Sequence, residues 1–186
     1  MLACLAVTLY VAGGAAFVAF GGKREASDGE QGLDRCSVSS PLRTLASAQA
    51  DFHANDRDGN GVQDFWRKDV AGLYTTPGSD KKPVALIELK VALADEAPAG
   101  DLRALGTRAP VYGYWLRAIP HEGEDPAKPD PQRFAYVMYP ADIPKRPKYT
   151  FIIDENNTIY RSILPPGTKV TEFPSYLSES VWSKLD

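Results

Sequence analysis

The sequence predicts an α+β domain: an N-terminal apolar helix, one or two further helices, and then an antiparallel sheet of three to four strands. Two observations lead there. Before residue 55 the apolar residues recur at spacings of three and four, which is one face of a helix. After residue 110, aromatic and β-branched runs alternate with polar turns, which is the pattern of short strands. Helices grouped first and strands grouped later favour an antiparallel sheet over alternating βαβ units.

Residues Met1 to Phe20 are apolar apart from Thr8 and Tyr10, a run long enough to span a bilayer. Residues 1–22 are therefore expected to be a membrane anchor, or alternatively a signal segment cleaved at Ala19-Phe20-Gly21. Residues 23–38 read as a linker, since Gly21 to Asp34 is charged, contains glycine and has no periodicity. The remainder, 39–186, is the folded domain. Its first helix should begin at Ser40 as N-cap, with Pro41 at the first helical position. Leu42, Leu45, Ala46, Gln49 and Phe52 share one face, which Gln49 weakens, and the helix should stop near Ala54.

Phe65, Trp66, Val70, Leu73 and Tyr74 form an aromatic cluster with poor periodicity, a short helix or an irregular segment. The apolar stretch after Pro83, from Leu86 to Leu93, favours a second helix, with a strand over Ala85 to Val91 as the alternative. Val111 to Ile119 and Phe134 to Tyr139 read as strands separated by a loop from Pro120 to Gln132. Tyr149 to Ile153 and Thr158 to Arg161 read as two more, joined by the hairpin turn Asp154-Glu155-Asn156-Asn157. The tail from Pro165 to Asp186 offers Phe173, Tyr176 and Trp182 as anchors.

The most specific chemistry lies in Asp56-Arg57-Asp58-Gly59-Asn60-Gly61-Val62-Gln63-Asp64. Side-chain oxygens stand at relative positions 1, 3, 5 and 9, a glycine at 6, and the Val62 carbonyl at 7. Hard oxygen ligands at that spacing suit Ca²⁺. The expected ligands are Asp56, Asp58, Asn60, Val62 and Asp64, with Asp51 or Asp69 as a further donor. An EF-hand would carry Glu at position 12, where this chain has Arg67. The shorter pattern resembles the calcium loops of thrombospondin type 3 and dockerin modules.

A wider resemblance rests on three stretches. They are Leu42-Arg43-Thr44-Leu45-Ala46-Ser47-Ala48-Gln49-Ala50-Asp51-Phe52, Tyr112-Gly113-Tyr114-Trp115-Leu116, and the hairpin from Tyr149 to Tyr160. In that order they resemble the globular domains of type IV pilins and type II secretion pseudopilins. They are also similar to uncharacterised bacterial secreted proteins of planctomycete type, in which an Asp-Arg-Asp-Gly loop follows such a helix. The resemblance implies a helix packed on an antiparallel meander, a role in envelope assembly or secretion, and a structural Ca²⁺. The acidic residue that pilins carry near the start of the apolar segment is missing, and the linker interrupts what would be one continuous helix.

The net charge of −3 leaves no basic footprint for nucleic acid. No Gly-rich phosphate loop, His-Glu-x-x-His or nucleophile elbow occurs, so no enzyme is expected. His53 should sit at a helix C-terminus, while His121, Glu122, Glu124 and Asp125 should be solvated in a mobile loop. Cys4 lies in the apolar run and Cys36 beyond the linker, so neither is expected to pair with the other. The expected protein is membrane-anchored through residues 1–20, extracytoplasmic and structural, with other envelope or pilin-like proteins as partners. The alternative is a secreted or anchored binding module. It would use Tyr112, Tyr114, Trp115, Tyr136 and Tyr139 as an aromatic sheet face for a carbohydrate or a peptide.

Overall fold

The computed structural model describes residues 38–185 except 79, 126, 127, 129 and 143–147. The expected anchor at 1–22 and the linker as far as residue 37 lie outside the described residues. Among the described residues no helix is long and apolar enough to cross a membrane.

Helix α1 runs from Ser40 to Asn55 with Ser39 at the N-cap, one residue earlier than the composition suggested. Pro41 still falls in its first turn, where a missing N–H costs nothing. Leu42, Leu45, Ala46, Gln49 and Phe52 are buried, as the spacing requires. Two single-turn helices follow, α2 at Gly72–Thr75 and α3 at Leu89–Ala92. The expected second helix over 86–93 is thus reduced to one turn. Leu86 is drawn against α2 instead, its N–H donating to the Leu73 carbonyl at 2.8 Å.

The sheet is an antiparallel meander in the order β1 (Tyr114–Ala118), β2 (Ala135–Pro140), β3 (Thr150–Asp154), β4 (Ile159–Ser162) and β5 (Ser183–Leu185). It has five strands, not three to four. The fifth comes from the Pro-rich tail and pairs Leu185 with Ile159. Three residues with one apolar side chain carry too little alternation to be read as a strand. The hairpin turn between β3 and β4 forms as predicted: Asp154 Oδ1 accepts from Asn156 N and Thr158 N at 3.1 Å each, and Asn157 takes φ 56°.

Strand register sorts the side chains into two cores. Ala118, Tyr136, Ile153, Ile159 and Leu185 stand in one row, and Leu116, Met138 and Phe151 in another, both facing α1. Val137, Ile152 and Tyr160 point the other way. On that second face the tail lies back over the sheet, with Phe173 and Trp182 buried against it. Every residue of β3 is therefore buried, which explains its unbroken apolar run. Tyr176, expected as a third anchor, is instead 81% exposed.

Gln49 locks the layers together. Its side-chain amide faces the peptide unit of Trp66 on both sides: Trp66 N–H donates to Gln49 Oε1 at 3.0 Å, and Gln49 Nε2 donates to the Trp66 carbonyl. Nε2 also donates to the Tyr136 hydroxyl, which itself donates to the Trp66 carbonyl at 3.1 Å. The residue that weakens the helical stripe is thus fully buried because the side-chain amide pairs as a backbone would. Gln49→Leu keeps the volume but leaves the Trp66 N–H without a partner and removes a hydrogen bond from Tyr136. It should cost about 2–4 kcal/mol in urea unfolding, against about 1 kcal/mol for Tyr136→Phe. A loss below about 0.5 kcal/mol for Gln49→Leu would mean that the amide contributes nothing beyond its volume.

Candidate functional site

The Asp-rich loop starts where α1 ends. Asp56, the C-cap, takes the left-handed conformation at φ 44°, and its N–H donates to the Phe52 carbonyl. Gly59 and Gly61 follow at φ 67° and 80°. Nothing lies within 4 Å of a Cβ added at either, so backbone conformation rather than crowding demands glycine there.

Backbone N–H groups converge on the first carboxylate. Asp56 Oδ1 accepts from Asn60 N at 3.1 Å and Oδ2 from Gly61 N at 3.0 Å. Asn60 occupies the middle of the loop. Its Nδ2 donates to Asp58 Oδ2 at 3.0 Å and to Asp64 Oδ1 at 3.4 Å, while its Oδ1 accepts from Val62 N at 2.6 Å. The Val62 carbonyl accepts from Asp64 N at 3.0 Å. Burial, opposed by the Asn60 N–H and reinforced by the charges of Asp64 and Asp56, raises the Asp58 carboxyl above its ordinary value. Asp64 is the buried member of the set.

The loop residues thus supply only oxygen ligands of the hard kind, and one amide nitrogen bridges two of the carboxylates. They are gathered pairwise through Asn60. Among the described residues no three acidic, His or Cys side chains close on a single point.

Neither further acidic donor joins the carboxylates of this loop. Asp51 is held by Arg57, whose Nε donates to Oδ2 at 2.9 Å and whose NH2 donates to Oδ1 at 2.8 Å. Asp69 is buried elsewhere and accepts from Trp66 Nε1 at 2.9 Å, Gly72 N at 2.8 Å and Ala99 N at 2.6 Å. Arg67, at the position where an EF-hand has its Glu, also turns away. Its side chain is only 6% exposed and pairs with Glu124 and, at 3.5 Å, with Asp130. Arg133 pairs with the same Glu124.

The loop from Pro120 to Gln132 is docked through Glu124 and Asp130, where solvation was expected, whereas Glu122 and Asp125 are exposed as expected. Phe65 N donates to the Asp130 carbonyl at 3.1 Å, and Glu124 is largely buried. His53 Nε2 donates to the Pro131 carbonyl at 3.2 Å, and its ring packs on Phe65. His121 is not solvent-exposed either: its ring lies on Phe173, and Nε2 is 3.3 Å from Glu155 Oε2. Charge pattern alone does not reveal these pairings, because the partners lie as many as 78 residues apart.

The five aromatics do not assemble into one face. Tyr114 and Tyr136 are buried toward α1, Tyr139 is buried and Trp115 half-buried on the opposite side, and only Tyr112 is exposed, at 53%. Sequence reasoning did not single out Asp95. Its Oδ2 accepts from Val70 N at 2.7 Å and Ala71 N at 2.8 Å, and its Oδ1 from Ala97 N at 2.9 Å.

Comparison with protein-family models, with curated proteins and with solved structures returns no match.

Burial pushes the Asp95 carboxyl up to about 6, against its three N–H bonds and with help from the nearby Asp69 charge. The ordinary value is 3.8, so at neutral pH ionising this buried group costs roughly 3 kcal/mol. The sign follows from a folded pKa above the unfolded one. The Asp95 contribution is fully present below about pH 4 and is lost as pH rises through about 6. Asp95→Asn lacks that titration. The stability of the wild type minus that of the variant should therefore shrink by about 2 kcal/mol between pH 4 and pH 7 in urea unfolding. A difference that widens with pH would show that the N–H bonds outweigh burial.

Proposed function

We propose that this chain is a membrane-anchored, extracytoplasmic, pilin-like structural protein whose loop at 56–64 is stabilised by Ca²⁺, acting in envelope assembly or secretion. The observation that supports it most is the gathering of Asp58 and Asp64 on one Asn60 side chain, with Asp56 beside them, at the joint where α1 passes into the Trp66 segment. Carboxylates drawn together without a cation repel one another, and a divalent ion relieves that repulsion. Asp56, Asp58 and Asp64 would bind it through carboxylates, Asn60 through its amide oxygen and Val62 through its carbonyl. The ion's contribution is rigidity. It would hold the ten residues between Asn55 and Trp66 in the path that lets Gln49 meet Trp66.

The plan of the domain is in keeping with this reading. A helix packs on one face of an antiparallel meander and the tail covers the other, leaving both sheet faces occupied. Residues 1–20 would tether the domain, and other envelope or pilin-like proteins would be its partners. The aromatic-face alternative has less support, because Tyr114, Tyr136 and Tyr139 are buried.

Melting tests the loop. Extracellular calcium modules bind at about 10⁻⁴ to 10⁻³ M, and free ion at about 100 times the dissociation constant adds about 2.7 kcal/mol. The melting temperature should rise with Ca²⁺, fall with chelator and respond poorly to Mg²⁺, which prefers a smaller octahedral shell. Asp58→Ala should abolish the response. Identical curves in Ca²⁺ and chelator would leave the loop a hydrogen-bonded acidic turn.

Carbonate extraction tests the anchor. The full-length product should stay with membranes at its unprocessed mass. A soluble product beginning near Gly22 would establish a cleaved signal in place of a tether.

A further inference from the structure

On the tail-covered side of the sheet, three cationic side chains from different parts of the chain meet around one residue. Arg108 NH2 donates to the Glu96 carbonyl at 2.6 Å, and its Nε and NH2 reach the Asp95 carbonyl at 3.2 and 2.7 Å. Arg117, on β1, places NH1 3.6 Å from Glu96 Oε2, beyond hydrogen-bond length. Lys169, from the tail, pairs with Glu96 Oε1 and remains 55% exposed. Aromatic rings form the floor. Trp115 and Tyr139 are cross-strand partners, with Arg108 over the Trp115 ring and Lys169 over the Tyr139 ring.

Two cations therefore share one carboxylate, Arg117 makes no close bond to it, and Arg108 is held beside them on the backbone carbonyls of Asp95 and Glu96. The field is strong enough that the Glu96 carboxyl, raised by burial, ends below its ordinary value through Lys169, Tyr139 and Arg117. We propose that Arg108, Arg117 and Lys169, set around Glu96 over Trp115 and Tyr139, form a binding site for a carboxylate side chain on an acidic peptide segment of a partner protein.

Charge complementarity selects the occupant. A second carboxylate entering beside Glu96 finds the Arg117 guanidinium, which makes no close bond to Glu96, and the half-exposed ammonium of Lys169, both of which form charge-assisted bonds to carboxylate oxygens. Arg108 already covers the Trp115 ring, which leaves that ring poorly placed to stack a sugar and so favours a peptide. Glu96 is the internal competitor for the same cations. The site lies on the tail side and shares no residue with the Asp-rich loop, so it does not depend on Ca²⁺.

The test uses the full-length chain and dye-labelled hexaglutamate, read by fluorescence anisotropy at low ionic strength. Binding should appear there and weaken toward about 0.15 M salt, as screened charges require. Arg117→Gln with Lys169→Gln should lower affinity by about tenfold or more, the worth of one or two charge-assisted bonds. Glu96→Gln should raise affinity, which a purely structural role for Glu96 does not predict. Lys169→Gln alone, at an exposed position, gives the reading if the double variant fails to fold. Absence of binding, or binding that ignores Lys169→Gln in a folded protein, overturns the site. Equal binding of oligogalacturonate overturns the assignment to a peptide, and equal binding of hexalysine overturns the charge argument.

Discussion

A carboxamide buried on the core face of a helix must find a partner with the hydrogen-bonding pattern of a peptide group, and that requirement organises this domain. Gln49 meets it with the backbone of Trp66 and adds the hydroxyl of Tyr136. One side chain thereby joins α1, the segment after the Asp-rich loop and the second strand of the sheet. The distance between Asn55 and Trp66 is then set, and the loop between them must fold within it. The Trp66 indole is held in turn by Asp69 and packs on Gly72, where an added Cβ would lie 2.1 Å from the ring. Glycine at that position is a matter of space, unlike the glycines of the loop, where it is a matter of backbone conformation.

The carboxylates of the domain have separate duties, each decided by the donor within reach. Asp51 is taken by the Arg57 guanidinium at the surface. Asp69 and Asp95 enter the interior and collect backbone N–H groups around α2, which satisfies donors that so short a helix cannot satisfy internally. Glu124 and Asp130 bind Arg67 and so fasten the Pro120 to Gln132 loop beside the exit of the Asp-rich loop. Asp56, Asp58 and Asp64 are gathered on Asn60, and among the described residues no cationic side chain is bonded to them, which makes them candidates for an ion.

The tail decides what the second face of the sheet can do. Phe173 pairs its backbone with the chain at Pro120 and Glu122, and Trp182 leads into the last strand. By covering Val137 and Ile152, the tail removes most of the apolar face from contact with a partner. It also brings Lys169 to Glu96, and in the polar margin so formed the Lys169 side chain stays half-exposed.

The sequence by itself determined the elements whose signal is local. The buried stripe of α1 follows from residues three and four apart, the alternate facing of Tyr114 and Trp115 from the period of a strand, and the β3–β4 hairpin from Asp154 to Asn157. The left-handed turns of the Asp-rich loop were equally legible, because glycine placement is a local demand. Tertiary structure decided everything that rests on partners distant in the chain. Gln49 reads as a fault in an apolar face until Trp66 is beside it. Three residues of tail become a strand only because β4 offers an edge. Arg67 and Glu124, or Lys169 and Glu96, look like solvated charges in sequence, since attraction depends on separation in space and sequence spacing says nothing of it.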